Sequence, residues 1–79
     1  MLKISKQQQA RLGKVLLRAR QQANLTQDQL TDQLGASAAF INKIENGKRN
    51  VGFFEFYTIV KAMGQDPIKL AREIWEGDT

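Results

Sequence analysis

Apolar residues along this chain recur every three or four positions and nowhere alternate with polar ones for long enough to predict a β-strand. The spacing instead predicts five helices. The first covers residues 6–22 and lines up Leu12, Val15, Leu16, Ala19 and Ala23 on one inward stripe, with Leu17 off it. Ser5 and Gln8 precede that stripe at the three-residue spacing of a capping box. The second helix, 27–34, has three agreeing start signals. Thr26 and Gln29 form a second capping box, while Leu25 and Leu30 take the two positions of a hydrophobic staple.

Leu30 and Leu34 face inward on this helix. Gly35 follows where a left-handed residue is wanted, and Ser37 stands ready to cap a third helix, 38–46. After the polar loop Lys48-Arg49-Asn50, the residues Phe53, Phe56, Ile59, Val60 and Met63 predict a fourth helix, 53–63. Val51-Gly52 offers no capping side chain, so a less defined start is expected there. Gly64 stops it, and Asp66-Pro67 provides a cap and a first-turn proline for a fifth helix, 67–76, carrying Leu70, Ala71, Ile74 and Trp75. With no repeat and no linker composition, residues 1–79 read as one compact all-α, five-helix domain.

Two short helices joined across a glycine have the outline of a helix-turn-helix, whose second helix lies in the major groove of DNA. A helical wheel sharpens this. Ile41 and Ile44 define the buried direction of the third helix; at about 100° per residue, Ala39, Asn42, Lys43 and Asn46 fall within roughly 60° of the opposite direction. Asparagine offers a donor and an acceptor to adenine, lysine donates to guanine, and alanine permits close approach or contact with a thymine methyl. The small opening Ser37-Ala38-Ala39 lets the helix N-terminus, with its free N–H groups, approach a phosphate. Phe40, one position before a core isoleucine, is expected to pack with an exposed edge.

Charge narrows the partners. Twelve Lys and Arg against eight Asp and Glu give +4, with an isoelectric point near 9.8, which favours an anionic partner. Residues 1–25 hold six bases and no acid, whereas 51–79 hold three bases and five acids. Arg11, Lys14 and Arg18 share one face of the first helix, as a solvated surface or as phosphate-steering charges. Having neither cysteine nor histidine, the chain lacks disulfides, thiolate zinc sites and the commonest catalytic bases, so no enzyme activity, cofactor, metal or small-molecule substrate is expected. No apolar run reaches the roughly 20 residues that cross a bilayer, and the N-terminus lacks a secretory h-region. A cytoplasmic location, away from membranes, is the expectation.

Residues 25–50 resemble the Cro/phage-repressor-type, xenobiotic-response-element-like helix-turn-helix family, and the five-helix plan extends the likeness over 12–71. The segments that carry it are "LTQDQL", "LGAS", "INKIENGKRN" and "IVKAMGQDP", in order and at the right spacing. The resemblance implies a phosphate-anchoring role for Gln27 and base-contacting positions at Ala38, Ala39, Asn42 and Lys43. It further implies an inter-helix ion pair between Arg20 and Glu45, and a loop holding Lys48 and Arg49 along the sugar-phosphate backbone. Ala38 and Ala39 stand where many relatives carry polar base readers, and Thr31 replaces the usual alanine at the helix contact.

These readings converge on a sequence-specific transcriptional regulator, a repressor in its simplest form, binding an inverted repeat in double-stranded DNA as a homodimer. The DNA-facing residues are expected to be Gln27, Ser37, Ala38, Ala39, Asn42, Lys43, Asn46, Lys48 and Arg49. An apolar cluster of Leu17, Leu70, Ile74 and Trp75 either closes the core or forms a two-fold dimer seam. The alternative is a protein-interaction module on the same fold, an antitoxin bound to a toxin partner or an adaptor holding another protein.

Overall fold

Hydrogen bonds between near neighbours start and stop the helices. The computed structural model describes residues 3–77, with α1 (Lys6–Gln22), α2 (Gln27–Leu34), α3 (Ala38–Glu45), α4 (Phe53–Ala62) and α5 (Pro67–Glu76). Ser5 and Gln8 exchange their two capping hydrogen bonds at 3.0 Å, and Thr26 and Gln29 do the same at 2.9 and 3.0 Å. The Ser37 hydroxyl accepts from the Phe40 N–H at 3.3 Å, and Asp66 accepts from the Ile68 N–H at 2.9 Å. Helices α3 and α4 each end one residue before the expected bound, because Asn46 and Met63 serve as their C-caps.

The two turns flanking α2 need left-handed backbone. Asn24 (φ 59°) supplies it after α1, letting the Leu25 N–H reach the Arg20 carbonyl at 3.2 Å. Gly35 (φ 67°) supplies it between α2 and α3, and the Ala36 N–H bonds the Thr31 carbonyl at 3.1 Å.

Inside, Val15, Leu16, Ala19, Leu30, Ile41, Ile44, Ile59, Val60, Met63 and Leu70 form the buried core, drawn from all five helices. Thr31 joins them at 4% exposure. Its hydroxyl donates to the Asp28 carbonyl at 2.9 Å, so no orphaned donor offsets its packing.

Helix α1 crosses α3 at Gly13. A Cβ there would stand 2.4 Å from the Ile44 carbonyl oxygen and 2.9 Å from that of Glu45, so the two backbones touch and only glycine fits. Near the same contact, Gly47 leans on Ala10 of α1, and the Gln9 and Asn50 side-chain amides are hydrogen-bonded.

The start of α4 is well defined, which corrects the expectation drawn from Val51-Gly52. Glu55, three residues on, accepts from the Gly52 N–H at 3.0 Å. Arg49 grips its carboxylate with two donors at 3.1 and 3.0 Å. The Arg49 guanidinium also lies 4.6 Å above the ring centre of Phe40. These contacts hold the Glu55 carboxyl below its ordinary range, the Arg49 hydrogen bond contributing most and the Gly52 N–H next, with partial desolvation opposing.

The expected inward stripes of α4 and α5 are trimmed at their ends. Phe53 is 74% exposed and Trp75 80%, so neither belongs to the core. Among the described residues no helix is long and apolar enough to cross a membrane.

Gly13→Ala raises helix propensity by about 1 kcal/mol but forces a methyl into two carbonyls. Its urea unfolding free energy is expected to fall by about 2 kcal/mol net, and an unchanged or raised midpoint would remove the close-approach argument. Because the folded carboxyl of Glu55 titrates below its unfolded value near 4.5, its stabilisation is complete above that pH and is lost as pH falls through the lower folded value. The difference in thermal midpoint between the protein and Glu55→Gln should therefore be widest near neutrality and narrow as pH falls below 4.5.

Candidate nucleic-acid interface

The outer strip of α3 follows from how its inner face is held. Ile41 and Ile44 are 2% and 1% exposed and point α3 into the core, which leaves Ser37, Ala38, Ala39, Asn42, Lys43 and Asn46 exposed on the surface. The strip is flat and small at its N-terminal end. It becomes polar and cationic toward its middle.

A buried carboxylate fixes the angle of α3. The Glu45 side chain is 5% exposed and that of Arg20 12%. Arg20 Nε donates to Glu45 Oε2 at 2.7 Å and Nη2 to Oε1 at 3.1 Å. Gln27 Nε2, from the first turn of α2, donates to Oε1 at 2.8 Å. The remaining arm of Arg20, Nη1, bonds the Leu25 carbonyl at 2.7 Å, so one guanidinium ties the end of α1 to the entrance of α2 and to α3. Among the described residues no buried side-chain nitrogen or oxygen lacks a partner.

Two residues expected at a phosphate turn out to be shared with the frame. Gln27 is half-buried with its amide nitrogen on Glu45, which leaves one hydrogen of that nitrogen for an outside acceptor. Arg49, taken from sequence as a loop cation, is half-buried, bound to Glu55 and to the Asn50 carbonyl at 2.9 Å, and stacked on Phe40. Its pKa is raised, chiefly by the hydrogen bond to Glu55. The spacing of Gly52 and Glu55 was readable as a helix start, but the reach of Arg49 back to it was not. Lys48, by contrast, is exposed, with its N–H on the Lys43 carbonyl at 2.8 Å.

On α1, Lys14 and Arg18 are exposed, whereas Arg11 is half-buried and donates to the Ile74 carbonyl at 3.0 Å, tying α1 to the end of α5. Within the α3 strip itself, Asn46 Nδ2 donates to the Asn42 carbonyl oxygen at 2.9 Å and to Asn42 Oδ1 at 3.0 Å.

The suggested apolar seam divides. Leu70 is 5% exposed and part of the core, so it is not available to a second molecule. Ile74 is half-buried against that core, and Leu17 is half-buried on α1. Trp75 alone of the four is exposed. Around it lie three apolar residues that periodicity had not marked as surface: Phe53, Tyr57 at 48% and Ile68 at 71%. Two shallow hollows of about 230 and 270 Å³ share Phe53, Phe56 and Ala71 in their walls, making the face continuous between α4 and α5. The signal was present for Tyr57 and Ile68, which lie off the buried stripes of α4 and α5, but not for Phe53, which the spacing placed on its stripe.

Comparison with curated proteins gave no match. Among solved structures, the fold is similar to that of the restriction-modification controller protein C.AhdI from Aeromonas hydrophila, with a TM-score of 0.72, 24% identity, and coverage of 77% of this chain and 92% of that one. The profile of the helix-turn-helix domain family matches residues 13–74. That span takes in α2, the Gly35 turn, α3 and most of the surrounding frame, and the chain belongs to the helix-turn-helix domain family.

Proposed function

We propose that this protein is a sequence-specific DNA-binding transcriptional regulator, without catalytic activity, that sets α3 into the major groove. The observation that carries the reading is the exposed strip Ala38, Ala39, Asn42, Lys43 and Asn46, held at a fixed angle by the Glu45 contacts. Small residues at the leading end admit close approach, and Asn42 and Lys43 supply hydrogen-bonding groups for base edges. Lys48 and the N–H groups at the starts of α2 and α3 supply sequence-independent attraction to phosphates. Gln27 assists with its remaining hydrogen, and Arg49 acts by shaping the loop. The controller protein among the structural neighbours supports a regulatory role.

The protein acts in this reading as a homodimer, joined through the apolar face of Phe53, Tyr57, Ile68 and Trp75. Exposed aromatic surface of this kind is stabilised by pairing, and a two-fold axis makes one patch serve both subunits. A body with extents of 31 × 23 × 19 Å suits a pair whose α3 helices stand one helical turn of DNA apart, about 34 to 36 Å. The target is then a short inverted repeat, and repression follows where that repeat overlaps a promoter.

Selection of bound duplexes from a random pool tests the whole reading, which expects a two-fold symmetric motif. On the selected site, Lys43→Ala is expected to cost roughly 1 to 3 kcal/mol and relax one base position, whereas Lys48→Ala weakens all duplexes alike and flattens the salt slope by about 1. Identical behaviour of both variants on specific and random DNA would contradict this division of labour. Trp75→Arg should sediment as a folded monomer at concentrations where the unaltered protein is a dimer, and should lose its preference for two half-sites over one.

A further inference from the structure

Asn42 and Asn46 are exposed on successive turns of α3, and their link has a fixed polarity. Asn46 Nδ2 lies 2.9 Å from a main-chain carbonyl, that of Asn42. A carbonyl only accepts, so Asn46 must turn its NH2 toward it. The same NH2, 3.0 Å from the Asn42 side-chain amide, selects that amide's oxygen. Asn42 is left with one lone pair of Oδ1 engaged and with the hydrogens of Nδ2 to donate.

This changes what Asn42 can read. The two-point contact of asparagine with adenine needs Oδ1 to accept from the N6 amino group while Nδ2 donates to N7. The link takes one of the two lone pairs of Oδ1 and leaves both hydrogens of Nδ2, so the amide is biased toward donation and suits a base edge that presents only acceptors; guanine presents two, N7 and O6. We infer that Asn46 is a specificity-setting positioning residue, which orients the Asn42 amide as a donor and so directs it to guanine rather than adenine. The inference rests on the DNA-binding reading above. In the free protein water competes for both amides; between the groove walls water is displaced and the lower local dielectric strengthens the link where it is used.

The test is duplex selection with the full chain, its Asn46→Ala and Asn46→Asp variants, and all three again with Asn42→Ala. Asn46 is exposed, lies just beyond α3 and has ordinary backbone angles of −90° and 6°, so both replacements fit; far-UV circular dichroism verifies folding. The unaltered protein is expected to prefer guanine at the base facing Asn42. Asn46→Ala frees the amide to turn and should bring adenine level with guanine. Asn46→Asp presents only acceptors, attracts Asn42 Nδ2 and turns Oδ1 outward, so the preference should shift about tenfold toward adenine or cytosine, which carry amino donors. The added negative charge lowers affinity for every sequence and cancels in that ratio. In the Asn42→Ala background the three proteins should share one preference at this base.

An enriched motif whose preference at this base is unmoved by Asn46→Asp overturns the inference and leaves the DNA-binding reading standing. A shift that persists without Asn42 also overturns it, since Asn46 then reads the base itself. Absence of any motif for the unaltered protein removes both.

Discussion

Glu45 holds its carboxylate where only 5% of the side chain meets solvent, and the arrangement of the first three helices depends on how that group is compensated. Three donors converge on its carboxylate, two from Arg20 on α1 and one from Gln27 on α2. The last nitrogen of Arg20 holds the Leu25 carbonyl at the entrance to α2. An ion pair at this depth adds little net stability over a well-packed apolar pair, but loss of one partner strands a charge at a cost of about 3 to 5 kcal/mol. The geometry is therefore enforced by the penalty for leaving it. Because Glu45 is the last residue of α3, its position sets the angle at which the strip bearing Asn42 and Lys43 meets the outside.

Gly13 makes that arrangement possible. Carbonyls of Ile44 and Glu45 press on its backbone, which draws the end of α3 close enough to α1 for Arg20, two turns further along, to reach the carboxylate. A bulkier residue would push the helices apart at the point where the ion pair needs them together. The entropy that a mid-helix glycine costs is offset by a crossing that nothing larger permits.

Polar groups near the strip thus divide between frame and surface. Gln27 and Arg49 spend most of their hydrogen-bonding capacity inside the molecule, one on Glu45 and the other on Glu55 and Phe40, while Lys43 and Lys48 remain at the solvent. On α4 the apolar residues divide in the same way: Ile59 and Val60 enter the core, and Phe53 and Tyr57 face outward with Trp75 of α5. So small a core has room for one face of each helix, and the aromatic surplus stays at the surface.

Helix limits to within one residue, the caps of α1, α2, α3 and α5, and the direction of the α3 strip were determined by the sequence, because each rests on residues no more than four apart: Ser5 with Gln8, Thr26 with Gln29, Ile41 with Ile44. The family likeness also pointed to Arg20 with Glu45 before any geometry was in view. Tertiary structure alone decided the rest. Gly13 reads locally as a weak helix residue, and its role appears only when a second backbone lies 31 residues downstream and against it. Leu70 and Trp75 both read as apolar on α5, yet one is core and the other surface, since that depends on where α1 and α4 lie. Arg49 read as a free cation until the fold brought Glu55 and Phe40 around it. Short-range spacing constrains what a helix is; the angles between helices settle which of its side chains are spent inside and which are left to meet a partner.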